Sequence, residues 1–412
     1  MSFSQGITGL AASAAQLDAI GNNIANSATV GYKSSTVAFK DVIAGSRIGL
    51  GVSVAQVQQN FAAGSVQLTS RPLDLAITNG KGFFRLESPE GGSVSYSRNG
   101  QFTVDSSGYV VNPNGMRLTG YAVTANETLA GGTPAALRFP TTSMTPQATT
   151  AVEAQFNLDS RNKAADVKTP FAAGDSSTYS YANALTVFDS LGNSHELVLY
   201  FIKTNDTTNT WEVRSTLSDG DTVQQVTPNP AAPPTVVFNA DGTISTPPAP
   251  SFTVTLDYLN NGAADANFTI DLTGSTQFGN TSAVQRLTQT GYTSGVLTSY
   301  EIGADGVITG KYSNDQDLTL GQVVLSSFAN DNGLEPLGNN LWGETGASGQ
   351  PLTGVPGEGT TLGSLTSGAL EASNVDLTSE LVNLITAQRA YQANAQTLKT
   401  QDQVMQTLVN LR

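Results

Sequence analysis

The chain has 412 residues, 39% of them hydrophobic, with 33 acidic against 19 basic side chains and a net charge of −14. That balance, with no cluster of Lys and Arg, argues against nucleic acid and anionic membrane surfaces as partners, and the lack of cysteine excludes disulfides and thiolate metal sites. The length suggests about two to four domains, and 41 Gly among abundant Thr, Asn and Ser point to many turns and short strands.

The first element in chain order is a helix. In FSQGITGLAASAAQLDAIGNNI, Phe3, Ile7, Leu10, Ala14, Leu17, Gly21 and Ile24 recur at alternating steps of four and three. Such spacing lays a narrow apolar stripe along a helix, as in a coiled coil. From Met1 to Tyr32 the only charged side chain is Asp18, so no face is strongly solvated and something must cover the helix. At 1.5 Å per residue it spans roughly 33 Å. An isolated helix with this Gly and Asn content is marginal in water, so it is expected to fold on association. The segment lacks the basic start and continuous apolar run of a cleaved secretory signal. Nowhere does a run of about 18 apolar residues predict a membrane span.

NNIANSATVGYKSS comes next, Asn22 to Ser35. Asn22, Asn23 and Asn26 can cap and end a helix, and Gly31 supplies backbone dihedrals closed to other residues. A plain loop accounts for the same composition, because loops collect such residues. Residues 25–70 together read as a connector.

From there to the last helix the pattern is β. FTVDSSGYVV at 102–111, VVFNADGTIS at 236–245 and YEIGADGVIT at 300–309 each run an apolar alternation into an Asp- and Gly-bearing turn and out again. ALTVFDS, HELVLYFI, SFTVTLDYL and NFTIDL alternate likewise. With no long amphipathic helix among them, a parallel α/β sheet is not expected. Two seams interrupt the region, FPTTSMTPQATT at 139–150 and GSTQFGNTSA at 274–283. Between them, residues 145–284 carry 14 acidic and 5 basic side chains, −9 of the total −14. This block is expected to be a separate, well-solvated β domain, inserted into an inner β domain built from 71–144 and 285–370. TPNPAAPPT and STPPAPS inside it read as loops, since Pro removes ladder donors.

The last stretch mirrors the first. From Asp376 there is no Gly or Pro for 37 residues, and Leu377, Leu381, Leu384, Gln388, Tyr391, Ala395, Leu398, Asp402, Met405 and Val409 keep the four-three steps. Asp376 is the predicted N-cap, with Glu380 in the first turn favoured by the helix dipole. This helix spans roughly 50 Å. The terminal helices, 1–24 and 371–412, are expected to pack on each other. The fold class is mainly β with long α-helical termini: nested β domains on a coiled-coil-like helical root. A rod-shaped subunit is expected, with both termini at one end and the insert at the other.

Little in the chain supports catalysis. His195, the only histidine, lies in NSHELVLYF beside Glu196. A triad needs base, nucleophile and orienter together, and a lone His on a strand beside a turn is more often structural. One His and no Cys leave zinc or copper too few ligands. SDGDT at 218–222 and NADGT at 239–243 could hold calcium, but neither has EF-hand spacing and turn chemistry accounts for both. NGKGFF at 79–84 and GLGV at 49–52 are Gly pairs with no helix behind them, so no phosphate loop is read there. No enzyme, cofactor or metal is expected.

SFSQGITGLAASAAQLDAIGNNIANSATVGYKSS resembles the N-terminal signature of the bacterial flagellar rod and hook protein family. Asn23, Asn26, Thr29, Gly31, Tyr32 and Lys33 fall on that motif's positions. GALEASNVDLTSELVNLITAQRAYQANAQTLKTQDQVMQTLVNLR resembles the family's C-terminal signature, and GFFRL and NGQFTVDSSGYVVNPNGMRLTGY its shared β domain. Residues 146–284 match no family pattern in detail. The large insert and TSGALEASNVDLTSELV set the likeness nearest the hook branch of the family.

The resemblance implies a structural subunit that polymerises into a short curved tube, a flexible universal joint passing motor torque to the filament. It implies terminal helices lining the core of that tubular helical polymer around a narrow channel. Phe3, Ile7, Leu10, Leu17, Ile24, Leu377, Leu381, Leu384, Tyr391, Leu398, Met405 and Val409 would then form the assembly interface, and Asn23 to Lys33 the connector motif. The implied partners are many copies of this chain, the distal rod protein, the hook cap protein, the hook–filament junction protein and the flagellar export apparatus. Neither nucleic acid nor membrane insertion is implied. The implied location is the hook and basal body outside the cell, reached without a cleaved signal. A rod or hook-associated junction protein is the alternative within the class; a secreted β-domain adhesin, which would need no paired terminal heptads, is the alternative outside it.

Overall fold

Both ends of the chain are helical because little in them opposes it: α1 (Phe3–Ala25) contains no Pro, and α2 (Leu377–Asn410) neither Gly nor Pro. The structure, a computed structural model, describes residues 3–43, 49–123, 129, 131–219, 222–225, 228–229, 233–245, 251–256, 261–357 and 361–410. Asp376 caps α2 as the sequence predicts: Oδ1 accepts the N–H of Thr378 at 3.0 Å and Oδ2 the hydroxyl of Ser379 at 2.8 Å. The Ser379 hydroxyl foremost, then the backbone N–H groups of Ser379 and Thr378, hold the Asp376 carboxyl below the usual carboxylate range.

The two helices run antiparallel. Gly6 faces Leu398, Gly9 faces Asn394, and Asn23 reaches Glu380. A Cβ at Gly9 would stand only 3.0 Å from Asn394 Nδ2, so glycine sets how closely the helices approach here. With this pairing the last turns of α2 extend past the start of α1.

Half of the segment expected to be a connector folds into an antiparallel hairpin, β1 (Ser35–Ile43) and β2 (Gly49–Gln59). Register shifts at Ala38/Phe39 and Val42/Ile43 break its period-two alternation, which hides the strands in the sequence. The hairpin rests on α1. Gln5 Nε2 donates to the Gly49 carbonyl at 2.6 Å, and Gly51, at φ +112°, faces Thr8, whose Oγ1 would lie 2.1 Å from any Cβ there.

The chain divides into two compact units. One consists of Met1–Thr141, Thr298–Lys311 and Asp317–Arg412. Its main sheet runs in the order Leu297–Ile302, Val307–Tyr312, Asp317–Val323, Arg117–Ala122, Phe83–Glu87, Val94–Ser97, Leu341–Gly343 and Glu335–Gly338, with antiparallel neighbours from Val307–Tyr312 onward. Phe84, Leu86, Phe102, Val110 and Leu118 are its fully buried core, and the Phe84 and Phe102 rings meet edge-on at 5.2 Å. Two short ladders return the chain to α2: β3 (Val66–Leu68) pairs with Ala369–Glu371, and β4 (Leu75–Thr78) with Ser364–Ser367.

The other unit, Thr142–Leu297 with Tyr312–Gln316, is a β-sandwich. One sheet holds Tyr181–Phe188, Ser194–Asn205, Thr210–Asp219 and Thr222–Gln225; the second is centred on Ala151–Asp159. Val152, Phe156, Val187, Leu197, Leu199, Trp211, Phe268 and Ile270 close the core between them. The expected boundary at 284/285 falls inside the strand Ala283–Gln289, which pairs antiparallel with Ala151–Asp159 from Val152↔Gln289 to Asn157↔Ala283. GSTQFGNTSA, read as a seam, contains the strand Thr276–Phe278, paired parallel with the same central strand.

All three Asp-Gly turns form. Gly108, Gly242 and Gly306 take φ of +88°, +82° and +80°, the left-handed region that L side chains avoid.

Candidate functional site

The signatures at the two ends of the chain converge where α1 and α2 join the β structure. Gly31 makes the first turn there, with φ +70° and its N–H donating to the Glu371 carbonyl at 2.8 Å. A Cβ at Gly31 would lie 2.6 Å from the Asn99 nitrogen and 2.7 Å from the Arg98 carbonyl carbon. Backbone lies against backbone at this point, so glycine is required for space as well as dihedral angle.

The next turn aims Lys33 inward. Its Nζ lies 2.6 Å from Glu371 Oε1 and donates to the Ala62 carbonyl at 2.7 Å, with both charged side chains almost wholly buried. Arg98 Nη1 donates to Glu371 Oε2 at 3.2 Å, and its guanidinium stands 5.3 Å over the Phe83 ring. The Gly64 N–H adds a further bond to Glu371 Oε1 at 2.9 Å. Burial holds the Lys33 ammonium below the ordinary lysine value, against the opposing pull of Glu371. Two cations thus share one carboxylate, and the buried cluster carries one positive charge in excess.

Amides complete the joint. Asn23 Oδ1 accepts from the Ser35 N–H at 2.8 Å and the Tyr32 hydroxyl at 3.2 Å; its Nδ2 donates to the Ser35 carbonyl and to Glu380 Oε1. Asn374 takes the Ser34 N–H at 2.8 Å and donates to the Asn60 carbonyl at 2.7 Å. Asn26 Nδ2 donates to the Asn22 carbonyl at 3.0 Å and Thr29 Oγ1 to Asn26 Oδ1, closing the end of α1. Phe61 packs edge-on against Phe83 at 5.5 Å and Trp342 at 5.7 Å, and Trp342 Nε1 donates to Gln59 Oε1. All six connector-motif residues therefore lie in or beside one polar joint.

The apolar seam is placed differently. The stripe of α1 turned toward α2 and the hairpin contains Gly6, Gly9, Ser13, Ile20 and Asn23, one residue round the helix from the seam, or about 100°. Leu10, Leu17 and Ile24 are half-buried beside it, and Ile7 is 48% exposed. On α2, Leu384 and Leu398 are half-buried with Ala387 and Asn394 on the α1 side, whereas Leu377, Leu381, Tyr391 and Met405 are exposed, as are Val382 and Ile385. The side chains of Phe3 and Val409 lie outside the described residues.

Sequence reasoning singled out Lys33 without its partners. Glu371, Arg98 and Asn374 carry the joint, and the one signal for Glu371 is that it stands alone as an acid in GALEASNV. His195 is buried with Nε2 3.2 Å from Asp189 Oδ2. Asp189 also accepts from the Asn193 and Asn261 amides and the Leu191 and Asn193 backbone, the pattern of a turn anchor. Asp241 likewise accepts from the N–H and hydroxyl of Thr243; SDGDT extends to Gly220 and Asp221, outside the described residues. No cluster of metal-binding side chains occurs among the described residues, and no described helix is long and apolar enough to cross a membrane.

Known protein families match along the chain in this order: Flagella basal body rod protein over 5–33, Flagellar hook protein FlgE/F/G D1 domain over 76–152, Flagellar basal body protein FlaE D2 domain over 157–292, and Flagellar basal body rod FlgEFG protein C-terminal over 366–411. The inserted unit thus has a family match that its motifs alone did not show. Helical ends locked to nested β domains define a subunit of the flagellar rod-and-hook class. The flagellar hook protein FlgE of Salmonella typhimurium (strain LT2) is 47% identical over the full length of both chains, and that of Escherichia coli (strain K12) equally so. The Borreliella burgdorferi hook protein FlgE is 32% identical over all of this chain and 99% of its own. The chain belongs to the flagellar hook protein FlgE family. The crystal structure of Helicobacter pylori flagellar hook protein FlgE2 shares the fold, with a TM-score of 0.52 at 16% identity, covering 73% of this chain and 98% of the other.

Proposed function

We propose that this chain is the structural subunit of a flagellar hook, many copies of which associate through their terminal helices into a short curved tube that passes torque from rod to filament. The observation that carries the reading is the apolar surface left open on the helical root. Ile7, Leu381, Ile385 and Met405 are 48%, 45%, 52% and 61% exposed on helices already paired along part of their surface. An exposed apolar stripe of this kind marks an association surface. The exposed members of the seam, Ile7 on α1 and Leu377, Leu381, Tyr391 and Met405 on α2, then meet neighbouring copies, while the inner stripe of α1 with Leu384, Ala387, Asn394 and Leu398 holds the two helices together.

In this reading the root expected at 1–24 with 371–412 is α1 with α2, which begins at Leu377 because Ala369–Glu371 pairs as a strand with Val66–Leu68, and the β domains surround the polymer's helical core. The joint at Lys33 and Glu371 transmits load between root and β domains without a free swivel. The ends of the tube take the distal rod protein on one side and the hook cap, then the hook–filament junction protein, on the other. The subunit reaches that site through the flagellar export apparatus and has no catalytic role. Negative-stain images of the purified, polymerised chain test the proposal. Short curved tubes are expected; straight rods indicate a rod protein, and the absence of any tube removes the reading.

A further inference from the structure

Beside the Lys33–Glu371–Arg98 cluster a groove of about 750 Å³ opens between residues 58–63 and 329–332, with Lys81 and Arg98 on its wall. Its charge is unbalanced. Arg98 is 4% exposed and spends Nη1 on Glu371, while its Nε has no hydrogen-bond partner among the described residues. Lys33 already occupies the other oxygen of that carboxylate. Lys81 is exposed and makes no ion pair among the described residues. Asp331 is the one acid among the lining residues. Burial holds its carboxyl above the usual range, against the opposing pull of Lys81 and Arg98, so one acid faces two cations on the wall of the groove.

A buried guanidinium N–H without a partner and an excess buried cation both cost free energy. A carboxylate entering the groove would offset the excess cation through a charge-assisted bond to Lys81 and attraction to the Arg98 guanidinium. The volume admits a side chain with its flanking backbone, and Asn60 and Asn332 supply amides on the walls.

We propose that this groove receives an Asp or Glu side chain from a second copy of the chain, seated between Arg98 and Lys81. Charge favours that occupant: each copy has 33 acidic side chains for 19 basic ones, so its neighbours present an excess of carboxylates. The polymer holds those carboxylates at high effective concentration. The inference rests on the hook reading for this proximity alone.

The test is zero-length carbodiimide coupling of tubes assembled from equal amounts of 14N- and 15N-labelled chain, read by mass spectrometry. Hybrid light–heavy peptides joining Lys81 to an Asp or Glu are expected. They should fall at least ten-fold when the tubes are dissociated before coupling. Lys81→Glu tubes should come apart at lower salt than wild type, and Lys81→Arg tubes should match it. Tubes that give no hybrid peptide at Lys81, or only Lys81–Asp331 links within one copy, overturn the proposal and leave the hook assignment standing. A chain that forms no tubes overturns both.

Discussion

Lys33 and Glu371 lie 338 residues apart in sequence, yet Nζ and Oε1 meet at 2.6 Å with neither side chain exposed beyond 1%. This contact ties the exit of α1 to the entry of α2 and fixes both to the β domain through Arg98 and the backbone of Ala62 and Gly64. The helical root is therefore held to the β structure by a buried charge cluster, a geometry that tolerates little angular freedom.

The cluster's surplus charge sets an order of mutational costs. Glu371→Gln leaves two buried cations without a counter-ion and should cost roughly 3–5 kcal/mol. Lys33→Met leaves a balanced Arg98–Glu371 pair and should cost less, about 1–3 kcal/mol. Urea unfolding of the two variants measures both. A larger loss in Lys33→Met would contradict the charge count.

Gly31→Ala forces a left-handed residue to carry a Cβ against the backbone of Arg98 and Asn99. The conformational part alone is about 1–2 kcal/mol, and backbone neighbours cannot turn aside as a flexible side chain would. The variant should fold with a lower denaturant midpoint and lose polymer yield more steeply than stability. Unchanged yield would mean that the joint tolerates a shift of its two strands.

The helix faces should separate stability from assembly. Leu381 is 45% exposed and should be replaceable by Asp with little change in the melting of the isolated chain, while tube formation is lost. Leu398 is half-buried against Gly6, so Leu398→Ala should loosen the α1–α2 pair itself, read as lost helical circular dichroism. Normal tubes from Leu381→Asp would take that face out of the interface.

Acid should weaken the inserted unit through Asp189. Burial pushes this carboxyl up, but the Asn193 amide, His195 and the backbone N–H groups of Asn193 and Leu191 outweigh it and hold the group at about 2. A carboxyl lowered in the folded state stabilises fully above its unfolded value of about 3.9 and loses that contribution as pH falls through the folded one. Between about pH 4 and pH 2 the unit should therefore lose roughly 2 kcal/mol from this group. Asp189→Asn should flatten that limb of the pH–stability curve, and a slope identical to wild type would assign it to other acids.

Features that depend on near neighbours could be read from the amino acids alone. Heptad spacing placed both helices, Asp376 announced its cap, and the Asp-Gly turns fixed three hairpins, because each of these is decided within a few residues by backbone dihedrals and local hydrogen bonds. The family signature marked Asn23, Gly31 and Lys33 without saying what they touch. The paired face of each helix emerged only in three dimensions, since Gly6, Gly9 and Ser13 rank low in any apolar pattern and matter for how closely α2 can approach. The bulged hairpin of β1 and β2 was hidden for the opposite reason: its alternation slips out of phase at Ala38 and Val42, and its pairing is fixed by the partner strand and by α1. Glu371 and Arg98 could not be assigned to Lys33 from spacing, because nothing local relates residues separated by most of the chain. Their meeting is set by the ladders of Val66–Leu68 with Ala369–Glu371 and Leu75–Thr78 with Ser364–Ser367, which bring the two ends of the β domain side by side and bury the charges between them.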